Sequence, residues 1–184
     1  MKTKSSYIGS LSPEYALLGL LYLKSAHGYQ LHQRLAEDLG QIWHISLSQT
    51  YNILKRLESQ GFIEASIQEQ SKLPDRREFQ LTKAGEERFN EWFNCPTGCS
   101  VRAIRVEFTT RLYFARKIDP QMAERLIDDQ VAEVNAGLSG LNTMLADIPT
   151  EKAFNRLGLE LRIRQLESIL DWLEECRIAL APHQ

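Results

Sequence analysis

Amide, hydroxyl and cationic side chains recur in a segment that begins after Ser46 and has the pattern of a helix. Ser46 and Gln49 have the spacing of a capping box, in which two side chains satisfy backbone N–H groups at a helix start. Such side chains donate and accept hydrogen bonds at base edges in the major groove, and Lys and Arg also reach phosphates. A solvated helix face is the alternative. The candidate DNA-contacting residues in this helix are Ser48, Gln49, Thr50, Tyr51, Asn52, Lys55 and Arg56.

Two short strand patterns follow this helix, and they favour DNA contact over a helix face that is merely solvated. Gly61 predicts the helix end, and residues 62–68 and 78–81 alternate as strands do. The turn between them contains Pro74-Asp75 and three basic residues that can touch the phosphate backbone, Lys72, Arg76 and Arg77. The order helix, strand, basic loop, strand is typical of a winged helix-turn-helix.

Two further helices precede this segment. Ser12-Pro13-Glu14 supplies a helix start for the apolar residues 16–23, and Gly28-Tyr29 opens a second helix. Tyr29 joins the candidate DNA-contacting set. The apolar run is much shorter than the roughly 20 residues that cross a bilayer, and the amino terminus lacks a cleavable signal pattern. We therefore expect a cytoplasmic protein with no membrane partner.

The second half of the chain has only helical patterns. A polar stretch, residues 95–100, predicts a linker between a winged domain (1–94) and a helical domain (101–184). Two long helices then carry heptad-spaced apolar residues, which indicate coiled-coil seams. The seams can pack on each other within the chain, but additional apolar positions such as Leu157, Leu161 and Ile178 favour a homodimer. The predicted dimerisation residues are Ile127, Val134, Leu141, Leu159, Ile163, Leu166, Leu170, Leu173 and Leu180.

The cysteines and the remaining polar residues give no pattern for catalysis. Cys95 and Cys99 have no companion pair of Cys or His nearby, and Cys176 is far along the chain, so we predict no metal site and no cofactor. A thiol switch at Cys95 and Cys99 stays open, because a linker is often exposed. No glycine-rich phosphate loop or nucleophile beside a base is present, so an enzyme is disfavoured.

A set of ordered motifs extends over the first half of the chain. Its members are Leu17-Leu18-Gly19-Leu20-Leu21, Gly28-Tyr29-Gln30-Leu31, Trp43, Tyr51, Leu54, Leu57, Gly61-Phe62-Ile63 and Leu81-Thr82-Lys83-Ala84-Gly85. Together these motifs resemble the PadR family of transcriptional regulators. Within that family, Pro74-Asp75-Arg76-Arg77 with Glu91-Trp92-Phe93 resembles the branch that contains the quorum-regulated virulence gene activator of Vibrio. The chain departs from the family at Asn52, where a proline commonly follows the tyrosine, and at Phe79, where a tyrosine is usual.

The resemblance implies a mainly α fold with a small β wing, in which a winged helix-turn-helix precedes a helical coiled-coil dimerisation domain. It also implies a small aromatic effector, for which Trp92 or Trp172 would line a cavity. The net charge of −2 means that DNA affinity must come from local placement of basic residues. We expect a homodimer that binds double-stranded DNA at an inverted-repeat operator. A winged module that binds only protein is the alternative.

Overall fold

The computed structural model describes residues 11–68 and 76–181 of the 184-residue chain. The chain divides into two compact units, one ending at Cys95 and the other beginning at Pro96. The fold is mainly α-helical with a small β-sheet in the first unit, as the sequence predicts. The described elements of the first unit are α1 (Glu14–Leu23), β1 (Ala26–His27), α2 (Gly28–Leu39), α3 (Leu47–Ser59), β2 (Ile63–Gln68), β3 (Arg76–Leu81) and α4 (Lys83–Phe93).

Helix α1 forms the centre of the first unit. It is apolar on almost every side and nearly all of its residues are buried, which is the pattern of a helix enclosed by other elements. The ring of Tyr15 stacks on Trp92 of α4 with 4.8 Å between ring centroids. Each fully buried leucine on α1 contributes about 1.5–3 kcal/mol relative to exposure. The unit therefore has a core of its own, built on α1.

The sheet of the wing is antiparallel, with strand order β1-β3-β2 among the described residues. Strand β2 pairs along its whole length with β3, from Ile63 opposite Leu81 to Gln68 opposite Arg76. On the other side of β3, Ala26 of β1 lies opposite Phe79. The sequence did not predict β1, because two residues are too few to show an alternating pattern. This short pairing ties the start of α2 to the wing.

The carboxyl-terminal end of α3 turns the chain into the wing. Gly61 has φ +76°, a left-handed conformation that an L side chain rarely adopts. The N–H of Phe62 donates to the carbonyl oxygen of Leu57 at 3.0 Å, and that of Gly61 donates to Glu58 at 2.9 Å. These two hydrogen bonds form a Schellman motif, which confirms the predicted helix end.

The second unit contains only helices in its described residues. The elements are α5 (Val101–Ala103), a π-helical turn (Ile104–Phe108), α6 (Thr109–Ile118), α7 (Pro120–Asp147) and α8 (Ala153–Leu180). The sequence pattern did not indicate the π-helical turn. At its end, the hydroxyl of Thr109 donates to the carbonyl oxygen of Ile104 at 3.1 Å, and that of Thr110 donates to Val106 at 2.6 Å.

Helices α7 and α8 form an antiparallel hairpin whose two heptad seams face each other. The seam residues that are buried within the single chain are Ile127, Val134, Leu141, Leu159, Ile163, Leu166 and Leu173. Leu170 and Leu180 are partly buried. These seven residues are therefore covered within the single chain, as the alternative that the seams pack on each other expects. Contact of Leu170 and Leu180 with a second chain stays a prediction.

Candidate nucleic-acid interface

Reciprocal hydrogen bonds fix the start of α3. The backbone N–H of Gln49 donates to Ser46 Oγ at 3.2 Å, and the N–H of Ser46 donates to Gln49 Oε1 at 2.7 Å. The predicted capping box is thus present. It uses the side-chain oxygen of Gln49 and leaves its amide NH₂ group available as a donor.

The exposed face of α3 carries most of the predicted contact residues. Thr50 is an exception, because it is fully buried. Its hydroxyl donates to the Ser46 carbonyl oxygen at 3.2 Å and lies 3.1 Å from Nδ1 of His32. A side chain without accessible surface cannot touch DNA, so Thr50 leaves the candidate set. The predicted residues that are exposed on α3 are Ser48, Gln49, Tyr51, Asn52, Lys55 and Arg56.

An open cleft of about 470 Å³ lies beside this face. At its centre, Gly28 makes room for the ring of Tyr51, since a Cβ at Gly28 would lie 2.6 Å from Tyr51 Cε1. The start of α2 thereby brings Tyr29 and Tyr51, two predicted contact residues, to one concave surface. The cleft is lined by His27, Gly28, Tyr29, Gln30, Tyr51, Arg77 and Phe79.

Arg77 closes one side of the cleft from β3. Its Nη2 donates to Glu58 Oε1 at 2.5 Å, and its guanidinium carbon lies 5.5 Å from the ring centroid of Phe79. Nδ1 of His27 lies 3.1 Å from the carbonyl oxygen of Arg77, which joins the start of α2 to β3. The guanidinium is about half exposed and keeps donors for an anion.

Arg56 lies on the exposed side of α3 and its guanidinium reaches Glu14 of α1. Nε of Arg56 donates to Glu14 Oε1 at 2.6 Å, and Nη2 lies 2.5 Å from the same oxygen. About half of the Arg56 side chain stays exposed beside this ion pair, and its contact with a base stays a prediction.

The tip of the wing lies outside the described residues. Lys72 belongs to that segment, and of Arg76 the structure describes the backbone at the start of β3 but not the side chain. Their contact with phosphate stays a prediction.

Several residues that line the site were not predicted from the sequence to belong to it. His27 and Gly28 reach the cleft because β1 pairs with β3, which brings together residues about 50 positions apart. Glu58 reaches Arg77 across 19 positions. Pairs of this kind depend on packing and cannot be read from local spacing.

The thiols of the second unit are protected. Cys99 packs closely against Gly137 of α7, where no Cβ would fit. Burial, and then the nearby carboxylate of Glu133, raises the pKa of the Cys99 thiol. Burial raises the pKa of Cys176 to about 11. Both thiols are therefore protonated at neutral pH, and the thiolate is the reactive form.

Neither a metal centre nor a membrane span is found in the described parts of the chain. Residues 11–68 and 76–181 contain no group of three or more His, Cys, Asp or Glu side chains that could hold a metal ion. Within the same ranges, no helix combines the length and the apolar character that crossing a membrane requires.

Two family models match the chain, one in each unit. The model described as the transcriptional regulator PadR-like family matches residues 17–91, and the one described as virulence activator alpha C-term matches residues 104–181. The negative transcriptional regulator PadR of Bacillus subtilis is 31% identical over 128 residues, which cover 70% of each chain.

Solved structures of Bacillus subtilis PadR are also similar. A complex with operator DNA is 28% identical, with a TM-score of 0.44, and the match covers 89% of this chain and 94% of that one. A complex with p-coumaric acid is 27% identical, with a TM-score of 0.40 and coverage of 92% and 99%. On the sequence relationship, the chain belongs to the PadR-like family of transcriptional regulators.

Proposed function

We propose that this protein regulates transcription as a homodimer that binds an inverted-repeat operator in double-stranded DNA. The observation that carries the proposal is the exposed face of α3 beside the cleft, with Gln49, Asn52 and Lys55 presented to solvent. A primary amide such as Asn52 pairs in bidentate fashion with adenine, and a lysine pairs with guanine or phosphate. The family relationship supports the same function.

The cleft supplies phosphate contacts in this proposal. Tyr29 and Tyr51 present hydroxyl groups, and α2 directs the positive end of its dipole to the same place. Arg77 adds a cation that Glu58 only partly neutralises, because the guanidinium is half exposed. These groups would set the register of α3 on the duplex without reading bases.

Selection of bound sequences from random duplex DNA tests the proposal. We expect an inverted repeat with half-sites about one helical turn, or a multiple of it, apart. Asn52→Ala should weaken operator binding by about tenfold or more and relax preference at one position of each half-site. Gln60→Ala, at the exposed end of α3, is the matched control. Absence of DNA binding would favour the protein-interaction alternative, and binding with no sequence preference would contradict an operator.

Arg77→Ala provides the contrasting variant. Loss of a phosphate contact should weaken binding to operator and random duplexes alike and reduce the slope of log affinity against log salt by about one. Equal effects of the Asn52 and Arg77 variants on both duplexes would contradict the assigned roles.

An apolar stripe on α8 is the dimer contact that we propose. Phe154 is 89% exposed, and Leu157 and Leu161 are each 58% exposed in the single chain. Gly158 lies between the two leucines, with open space where a Cβ would be. Glycine in an exposed helix costs about 1 kcal/mol relative to alanine, and it permits close approach of a second helix.

The stripe is complementary to itself. A two-fold antiparallel crossing centred between Leu157 and Gly158 places Phe154 opposite Leu161 of the second copy. Apolar residues of the two copies therefore meet in one symmetric arrangement, as an isologous interface requires.

Sedimentation of Leu157→Lys with Leu161→Lys tests the dimer contact. The double variant should be a folded monomer with weakened operator affinity, because one half-site lacks the gain from linked binding. Ala132→Lys with Asn135→Lys adds the same charge at exposed positions of α7 and should remain dimeric. A stripe variant that stays dimeric would overturn this contact.

A small aromatic effector is the second partner that we propose. Bacillus subtilis PadR has been solved with p-coumaric acid, and this chain is related to that protein. Trp172 is partly exposed, and its ring centroid lies 6.1 Å from that of Phe108, whereas Trp92 is buried in the core of the first unit. Titration of p-coumaric acid should lower operator affinity in the wild type and less in Trp172→Ala. Absence of binding to the wild type would remove this partner from the proposal.

We also propose that the protein belongs to the branch of the family that contains the virulence activator. The match of residues 104–181 to the carboxyl-terminal model supports this placement. Transcript profiling after deletion of the gene, with a reporter driven by the selected operator, would test whether the protein activates its targets as that branch name implies.

A further inference from the structure

One carboxylate in the first unit connects three helices. Glu14 is the first residue of α1 and is buried. Its Oε1 accepts from Arg56 of α3, and its Oε2 lies 3.8 Å from Nη2 of Arg88 on α4. The recognition helix is thereby held to α1 and α4 through a single side chain.

Arg88 is itself held in place. Its guanidinium carbon lies 4.6 Å from the ring centroid of Phe62 and 5.5 Å from that of Tyr15. Phe62 follows Gly61 directly at the end of α3, and Tyr15 follows Glu14. The guanidinium of Arg88 is thus packed between Phe62, just after the end of α3, and Tyr15, near the start of α1. The carboxylate of Glu14 lies beside it.

The anchor acts near the carboxyl-terminal end of α3, so among the proposed contact residues Ser48 and Gln49 at the start of the helix lie farthest from it. From Arg56 back to Ser48, the helix rises about 12 Å. A tilt of α3 by about 5° at the anchor would move its start by about 1 Å, which is enough to disturb bidentate hydrogen bonds to bases. Phosphate contacts by flexible cations tolerate such a movement better.

We propose that Glu14 is a positioning residue for sequence recognition, which it controls by fixing the tilt of α3 through Arg56 and Arg88. The proposal rests on the proposed DNA-binding function of α3. It assigns a role in operator selectivity to a carboxylate that does not itself touch DNA.

Loss of the Glu14 contact should change the affinities for operator and random DNA differently, which a general loss of folding cannot do. The side chain of Arg56 is 53% exposed, whereas that of Glu14 is 11% exposed. Removing the carboxylate charge therefore releases a cation at the solvent-facing side of α3. Affinity for random duplex DNA should not fall, while affinity for the operator should.

The experiment compares the full-length wild type with Glu14→Gln on the selected operator and on a random duplex over a series of salt concentrations. We expect the ratio of operator to random affinity to fall by about tenfold, the loss of roughly one base contact, with random binding equal or stronger. Glu37→Gln, an exposed position of α2, removes the same charge and should leave the ratio unchanged. Thermal unfolding of each variant identifies the temperature at which all are folded.

Arg56 variants keep the test decisive if Glu14→Gln does not fold. Arg56→Gln should lose selectivity with Glu14 intact, and Arg56→Lys should recover part of it, because lysine retains one charged contact. Equal loss on both duplexes, or unchanged selectivity in folded variants of both residues, would overturn the positioning role. A wild type that fails to select an operator would instead refute the proposed function.

Discussion

Each unit of the molecule contains a buried carboxylate paired with arginine, and the two pairs differ in what surrounds them. In the second unit, the side chains of Glu107 and Arg111 are 1% and 2% exposed, with 3.6 Å between Oε2 and Nη2. In the first unit, the side chain of Glu14 is 11% exposed, and of its two arginine partners Arg56 is 53% and Arg88 is 23% exposed. The same two residue types thus form a closed pair in one unit and an open pair in the other.

The difference in solvation changes what each pair contributes. In a fully buried pair, the attraction between the two charges is largely offset by the free energy of removing both from water. Such a pair therefore adds little net stability, but removing one partner destabilises the fold strongly. A pair with one solvated partner resembles a surface salt bridge, which is worth about 0–1 kcal/mol. Arg111 also donates to Thr97 Oγ1 at 2.5 Å, which fixes the start of the second unit to α6. The closed pair therefore stabilises a fold, and the open pair orients an element.

Breaking the closed pair should have the largest effect on stability. Glu107→Gln removes the carboxylate charge beside the buried guanidinium, and we expect the free energy of unfolding of the second unit to fall by about 3–5 kcal/mol. Urea unfolding followed by circular dichroism measures this loss. The double variant Glu107→Leu with Arg111→Met should cost less than the single one, and a single variant as stable as the wild type would contradict the comparison.

The hairpin seam provides an apolar reference for the same unit. Leu173→Ala removes a fully buried side chain and should destabilise by about 3 kcal/mol, through lost transfer free energy and the cavity left behind. Ile178→Ala, at an exposed position of the same helix, should change stability by less than about 0.5 kcal/mol. Similar losses for both would mean that α8 is not packed as described.

Breaking the open pair should destabilise the protein less than Glu107→Gln or Leu173→Ala does. Glu14→Gln is expected to cost about 1 kcal/mol, because water continues to solvate Arg56 when the carboxylate charge is gone. Thermal unfolding at low and high salt measures this loss of stability. The difference in stability between Glu14→Gln and the wild type should decrease as the salt concentration rises. A loss as large as that of Glu107→Gln would show that the two pairs are equivalent.

The smallest expected effect is that of pH on the cysteine thiols, which differ in burial between the two units. Cys176 is partly buried with a pKa of about 11, above the ordinary value of 9.0, whereas Cys95 is exposed. Alkylation of Cys176 should therefore be slow at pH 8 and increase toward pH 11, and mass spectrometry can follow each site. The stabilisation from the neutral thiol is complete below pH about 9 and is lost as the pH rises through about 11. Rapid modification of Cys176 at pH 8 would contradict its burial.

Local sequence determined where the elements begin and end. Capping residues act on the backbone within a few positions of themselves. Ser46 with Gln49 fixes the start of α3, and Gly61 fixes its end. Thr82 and Asp119 cap the starts of α4 and α7 in the same way. The exposed polar character of α3 and the heptad pattern of α7 and α8 were also predictable, because helical periodicity defines faces before any packing partner is known.

Only the tertiary structure decided which partners those faces meet. Thr50 is buried because α2 packs against its side of α3, and the half-exposed Arg56 pairs with Glu14 across 42 positions of sequence. The seam leucines face their own hairpin, although a heptad pattern is equally compatible with a second chain. Periodicity specifies that a face will be covered, but the covering element is chosen by long-range packing energies that no local spacing encodes.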